Sequence, residues 1–88
     1  MFVTVKALTQ RIDNQISCMN VNMDMLEGKL DNPNNYSRDY ILDFISKQCN
    51  DLHDMINALE FSSENTKLIV QYKAKAQEVI NRFSIYRR

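Results

Sequence analysis

The stretch Asn57–Lys75, "NALEFSSENTKLIVQYKAK", decides the fold. It reads as the end of one helix, a tight corner and the start of another. Leu59 and Phe61 flank Glu60 at the end of an apolar stripe, and Ser62 or Ser63 is placed to cap the helix that follows. Glu64 would then lie in its first turn, where a carboxylate favours the free N–H groups and the dipole. Phe61, just before the caps, would pack on the Asn65–Ile69 turn as a staple. A corner of two to four residues makes the flanking helices antiparallel neighbours.

Outward from the corner, both sides keep helical spacing. Upstream, Tyr40, Ile41, Phe44, Ile45, Cys49, Leu52, Met55, Ile56 and Leu59 form a stripe wide enough to face two neighbours. Ser37 stands before it as an N-cap. Downstream, Leu68, Ile69, Tyr72, Ala76, Val79, Ile80 and Phe83 mark the second arm of the hairpin. Nearer the N-terminus, Val5, Leu8, Ile12, Ile16, Met19, Met23, Leu26 and Leu30 recur at steps of three and four, a coiled-coil-like seam. Thr4 can cap its start. Between seam and hairpin lies "LDNPNNYS", whose Asp, Asn and Pro disfavour a helix interior. The chain therefore reads as one all-α domain spanning 1–88. Its helices are expected at about 4–30, 37–60 and 63–86, with a linker at 31–36. The architecture is a helical hairpin plus a long N-terminal helix, a three-helix bundle.

Composition agrees. One Gly and one Pro in 88 residues exclude a turn-rich sandwich or barrel. A chain this short buries a thin core, which favours completion by homo-oligomerisation. No apolar run approaches the roughly 18–20 residues that span a membrane. The opening "MFVTVKALTQRID" is too short and polar for a signal peptide. Cys18 and Cys49 have no framework spacing and are expected as buried free thiols, so the expected setting is reducing and cytoplasmic.

Net charge is zero, which argues against nucleic-acid binding and removes bulk attraction to anionic lipid. Its distribution is uneven. Residues 1–66 carry five basic and ten acidic side chains, and residues 67–88 six basic and one acidic. Such asymmetry points either to an anionic partner or to oppositely charged helices packed side by side. On the last helix Lys67, Gln71, Lys75, Arg82 and Tyr86 share a flank, with Glu78 among them to pair with Lys75 and Arg82.

Catalytic chemistry is not visible. His53 is the sole histidine and has no second ligand pair, which argues against a metal site. One Gly cannot build a phosphate-binding loop, and no cofactor is implied. Met19 and Met23 fall on the seam; Met25 falls off it and is free for an adaptable surface. The residues point to a protein that binds rather than reacts.

The segment from Ser37 to Phe83 carries one more specific pattern. It has a Ser-started helix with the step Ile45–Ser46–Lys47 and an ending at Met55, Ile56 and Leu59. The Ser62–Ser63–Glu64 corner follows, then a second helix closing on Ile80–Asn81–Arg82. This pattern resembles the helical hairpin of small phage anti-CBASS proteins. That resemblance implies a compact helical homo-oligomer that sequesters cyclic oligonucleotide second messengers between subunits, without cleaving them. The setting would be the host cytoplasm if the chain is phage-encoded. Tyr36 and Lys47 are the nearest matches to one pocket type and Arg82 to another. Tyr36 would stack on a base, and Lys47 and Arg82 would take phosphates of cyclic di- or trinucleotides. The usual corner Pro is absent, the Tyr-to-Lys spacing is altered and the N-terminal helical arm is longer. A second reading is an oligomeric protein–protein interaction module, a phage or host regulator, acting through the N-terminal heptad helix.

Overall fold

The computed structural model describes residues 4–87, with nothing said of the Arg87 side chain. It has three helices and, among the described residues, no strand: α1 (Val5–Leu26), α2 (Arg38–Ser62) and α3 (Thr66–Ser84), followed by a 3₁₀ turn at Ile85–Arg87. No helix of the described residues is long and apolar enough to cross a membrane.

Thr4 caps α1, its hydroxyl accepting from the Ala7 N–H at 3.0 Å. The helix stops at Leu26, four residues before the expected end. Gly28 takes a φ of +76°. Its N–H donates to Met25 O, and the Lys29 N–H reaches back to Asp24 O. That pair of bonds satisfies the last carbonyls around a left-handed residue, which glycine adopts without strain. Leu30 is thereby taken off the seam and is 45% exposed.

Ser37 caps α2 as expected, accepting from the Tyr40 N–H at 3.1 Å. At the hairpin corner the structure departs from the expected capping. α2 continues through Ser62, so neither Ser62 nor Ser63 caps the next helix. Asn65 does, with Oδ1 accepting from the Leu68 N–H, while Ser63 Oγ accepts from the Asn65 N–H. Phe61 is no staple, being 95% exposed. It lies two residues past buried Leu59, about 200° round the helix, and so points away from the core.

α1 and α2 run antiparallel, as do α2 and α3, leaving α1 and α3 parallel. The core between them is Leu8, Ile12, Met19 and Met23 from α1, Ile41, Ile45, Leu52, Ile56 and Leu59 from α2, and Tyr72, Ala76, Val79 and Phe83 from α3. Each large side chain buried there contributes roughly 1.5–3 kcal/mol. Cys18 is exposed and Cys49 half-buried, against the expectation of two buried thiols. Cys18 is one residue, or 100°, from the inward Met19 and falls outside the stripe.

One polar layer crosses the core. Gln48 is 7% exposed; its Oε1 accepts from Asn22 Nδ2 at 3.0 Å, and its backbone carbonyl accepts from Gln15 Nε2 at 3.0 Å. A buried amide so partnered sets the register of α1 against α2, because sliding one helix strands a desolvated group.

Candidate functional site

The stripe on α2 is narrower than its sequence suggests. Ile41 and Ile45 face inward, whereas Tyr40 and Phe44 stand 55% and 48% exposed. With Tyr36 they form a ridge at intervals of four along one flank. The Tyr36 and Tyr40 rings stack, centroids 4.8 Å apart and planes 18° from parallel. Beside this ridge runs a groove of about 160 Å³, lined by Asn22 and Met25 from α1 and by Tyr36, Tyr40, Ile41 and Phe44. Met25, off the seam, thus lines a surface groove. The groove arises because α1 ends early and the chain must return through the linker before α2 begins.

Tyr36 precedes the α2 cap, so its backbone has no helical partner. Asn32 supplies one on each side: its Oδ1 accepts from the Tyr36 N–H at 3.1 Å, and its Nδ2 donates to the Tyr36 carbonyl at 2.9 Å. Asn34 Nδ2 donates to the Tyr36 hydroxyl at 3.3 Å.

Lys47 lies one turn beyond Phe44 on the same flank of α2. It is exposed and makes no ion pair within the described residues. Asp43 and Asp51 stand one turn to either side of it. Lys47 thus follows Tyr40 and Phe44 along α2, outside the walls of the groove that Tyr36 lines. Arg82 belongs elsewhere, in the groove of about 710 Å³ between α1 and α3, with Asp13, Asn20 and Lys75 among its walls.

Arg82 is heavily engaged there. Its Nη2 donates to Asp24 Oδ1 at 2.6 Å and to Glu27 Oε2 at 2.9 Å, and its Nη1 to Asn20 Oδ1 at 2.9 Å. The Tyr86 hydroxyl also donates to Glu27. That bond, then those from Lys29 and Arg82, hold the Glu27 carboxyl down at about 2. Asp24, by its hydrogen bond, raises the Arg82 pKa above its ordinary value. The Tyr86 hydroxyl is pushed up by desolvation and then by its bond to Glu27. The guanidinium of Arg38 covers the Tyr86 ring at 5.8 Å.

Glu78 does not take the part expected of it. Lys75 pairs with Asp13 at 3.3 Å, Lys73 with Glu60 at 2.5 Å, and Arg82 with Asp24 and Glu27. Their carboxylate partners come from α1, its C-cap and α2. Lys73, Lys75 and Arg82 of the basic last helix are thus paired within the bundle.

Other concavities hold less chemistry. Ser46, Cys49, Asn50 and His53 line one between α2 and α3 with Ile80, Phe83 and Ser84. Among the described residues there is no group of three or more His, Cys, Asp or Glu placed to hold a metal ion. Sequence reasoning singled out Tyr36 but missed Tyr40, Phe44, Asn22 and Asn32 as its neighbours. The recurrence of aromatic residues at 36, 40 and 44 was the available signal.

Comparison with protein-family models, with curated proteins and with solved structures gives no match to this chain.

Proposed function

We propose that this protein is a non-enzymatic, homo-oligomeric binding protein that sequesters cyclic di- or trinucleotides and so blocks antiviral immune signalling. The observation that carries the reading is the open-faced tyrosine pair: Tyr36 on Tyr40 at 4.8 Å, half-exposed, beside a small apolar groove. A nucleobase needs a flat aromatic face, and stacking on one contributes roughly 1–3 kcal/mol per base. Lys47, farther along α2, takes a phosphate. Asp43 and Asp51 temper its field, so base stacking supplies most of the affinity. A phosphate at Arg82 competes with Asp24 and Glu27, which makes that contact the weaker one.

The open shape of the shelf is what supports homo-oligomerisation in this reading. One chain covers one face of a base; a second chain covers the other and excludes water. The alternative, an interaction module working through the heptad seam of α1, has less room. Leu8, Ile12, Met19 and Met23 are buried in the chain's own core.

The test is native mass spectrometry with and without a panel of cyclic di- and trinucleotides. The expected result is an oligomer that gains ligand mass in fixed stoichiometry, with the gain lost in Tyr36→Ala. An unchanged mass, together with no calorimetric heat at tens of micromolar ligand, rejects the reading.

A further inference from the structure

The linker motif Asn32–Pro33–Asn34–Asn35–Tyr36 has three asparagines, and each makes a different contact. Asn35 takes the left-handed conformation, φ 52°, which asparagine tolerates better than most side chains. Its N–H donates to the Asn32 carbonyl at 3.0 Å and closes the turn. Asn34 donates to the Tyr36 hydroxyl, at the far tip of the ring. Asn32, half-buried, holds the Tyr36 backbone by both its N–H and its carbonyl. Pro33 restricts Asn32 to extended backbone and so limits where its amide can point. Tyr36 is thus fixed at three points before the stack on Tyr40 is counted.

We propose that this corner is a preset clamp, and that Asn32 is a positioning residue for ligand binding at Tyr36. The inference rests on the reading above, in which Tyr36 stacks on a base. Tyr36 sits outside α2, where helical hydrogen bonds cannot hold it. Without the Asn32 amide, its N–H and carbonyl turn to water, and the ring samples orientations off Tyr40. Each ligand must then pay the ordering cost on arrival. With the clamp, the shelf stands in place beforehand, and stacking is not offset by ordering of the chain. Pro33 serves the same end by making the corner rigid rather than a hinge.

Two readouts test this, one free of ligand. Nuclear Overhauser contacts between the Tyr36 and Tyr40 rings report the shelf itself. Binding of cyclic di-adenylate and cyclic di-guanylate, measured by calorimetry, reports its use. In Asn32→Ala the ring–ring contacts are expected to disappear and Kd to rise about tenfold. The melting temperature should stay within a few degrees, since the linker lies outside the core. Asn32→Asp keeps the acceptor for the Tyr36 N–H and should recover part of both signals. Ring contacts and Kd that persist in Asn32→Ala overturn the proposal, because the stack alone then seats the ring. So does a loss of affinity that merely follows a large fall in melting temperature. If the wild-type protein binds neither these two nor any other member of the cyclic di- and trinucleotide panel, the functional reading fails. The clamp is then judged on ring contacts alone: their loss in Asn32→Ala upholds it and their persistence overturns it.

Discussion

Arg82 Nη2 lies 2.6 Å from Asp24 Oδ1 and donates to it across the junction of α3 with α1. Both side chains are about a third exposed or less, so solvent screens the pair only in part. The same guanidinium reaches Glu27 and Asn20, which makes it the centre of a cluster closing one end of the bundle. Arg82→Met should therefore lower unfolding free energy by about 1–2 kcal/mol in urea titration. Lys67→Met, on an exposed side chain, should change it by less than about 0.5 kcal/mol. Equal effects of the two would show that the cluster contributes nothing beyond ordinary surface charge.

Glu27 gives this cluster a pH dependence. Its folded pKa, about 2, lies below its ordinary value of 4.5 because Tyr86, Lys29 and Arg82 stabilise the carboxylate. A depressed carboxyl pKa stabilises the fold above the unfolded value and loses that contribution as pH falls through the folded one. Wild type should melt above Glu27→Gln at pH 6. The gap should narrow as pH falls from about 4.5 to 2 and vanish only below the folded value. A gap that stays constant over that range would mean the carboxylate is not the group responsible.

The buried Gln48–Asn22 contact predicts non-additivity. Asn22→Ala leaves the Gln48 amide oxygen without its donor in a site 7% exposed, at a cost of about 1–3 kcal/mol. Combining it with Gln48→Leu removes the stranded group and should recover much of the loss. Denaturant unfolding of both singles and the double gives the coupling directly. Strict additivity would reject a structural role for the layer.

Two apolar residues should behave in opposite ways. Ile12 is fully buried, and Ile12→Ala should cost about 2–5 kcal/mol through lost burial and a residual cavity. Phe61 is larger, yet at 95% exposure Phe61→Ala should shift stability by about 0.5 kcal/mol or less. A large loss in Phe61→Ala would place that ring against the bundle and revive the staple.

On the proposed binding face, Tyr36→Phe keeps the ring and should hold affinity for a cyclic dinucleotide within about threefold. Tyr36→Ala and Tyr40→Ala should each weaken it about tenfold or more, the range of a lost base stack. Calorimetry separates these outcomes. Indifference of affinity to both alanine variants would move the ligand away from this flank.

Much of the fold was legible along the chain. The inward residues Leu8, Ile12, Met19 and Met23 were read from spacing, and Thr4 and Ser37 as caps from residue type. These are local properties, set within one or two turns. Gly28, with its φ of +76°, ends α1 earlier than the apolar seam implies. At the corner three residues compete to cap, and α2 runs on to Ser62 so that Asn65 takes the position. Of the candidate site residues, Tyr36 lines the groove, whereas Lys47 stands farther along α2, outside its walls. The groove itself was not legible, because Asn22 and Met25 come from another helix.

The sequence by itself determined where helices form and which stripe of each is apolar, because helical periodicity and capping act between residues three or four apart. It also showed that a −5 stretch precedes a +5 stretch. Only the tertiary structure decided what those charges do. Arg82 could have met Glu78 on its own helix or a ligand outside; it meets Asp24 of α1 and Glu27 just past its end, 58 and 55 residues away. Likewise Tyr40 and Phe44 could have filled a core and instead frame an open groove. Such partners depend on the rotation and offset between packed helices, and those are set jointly by all the side chains in the core.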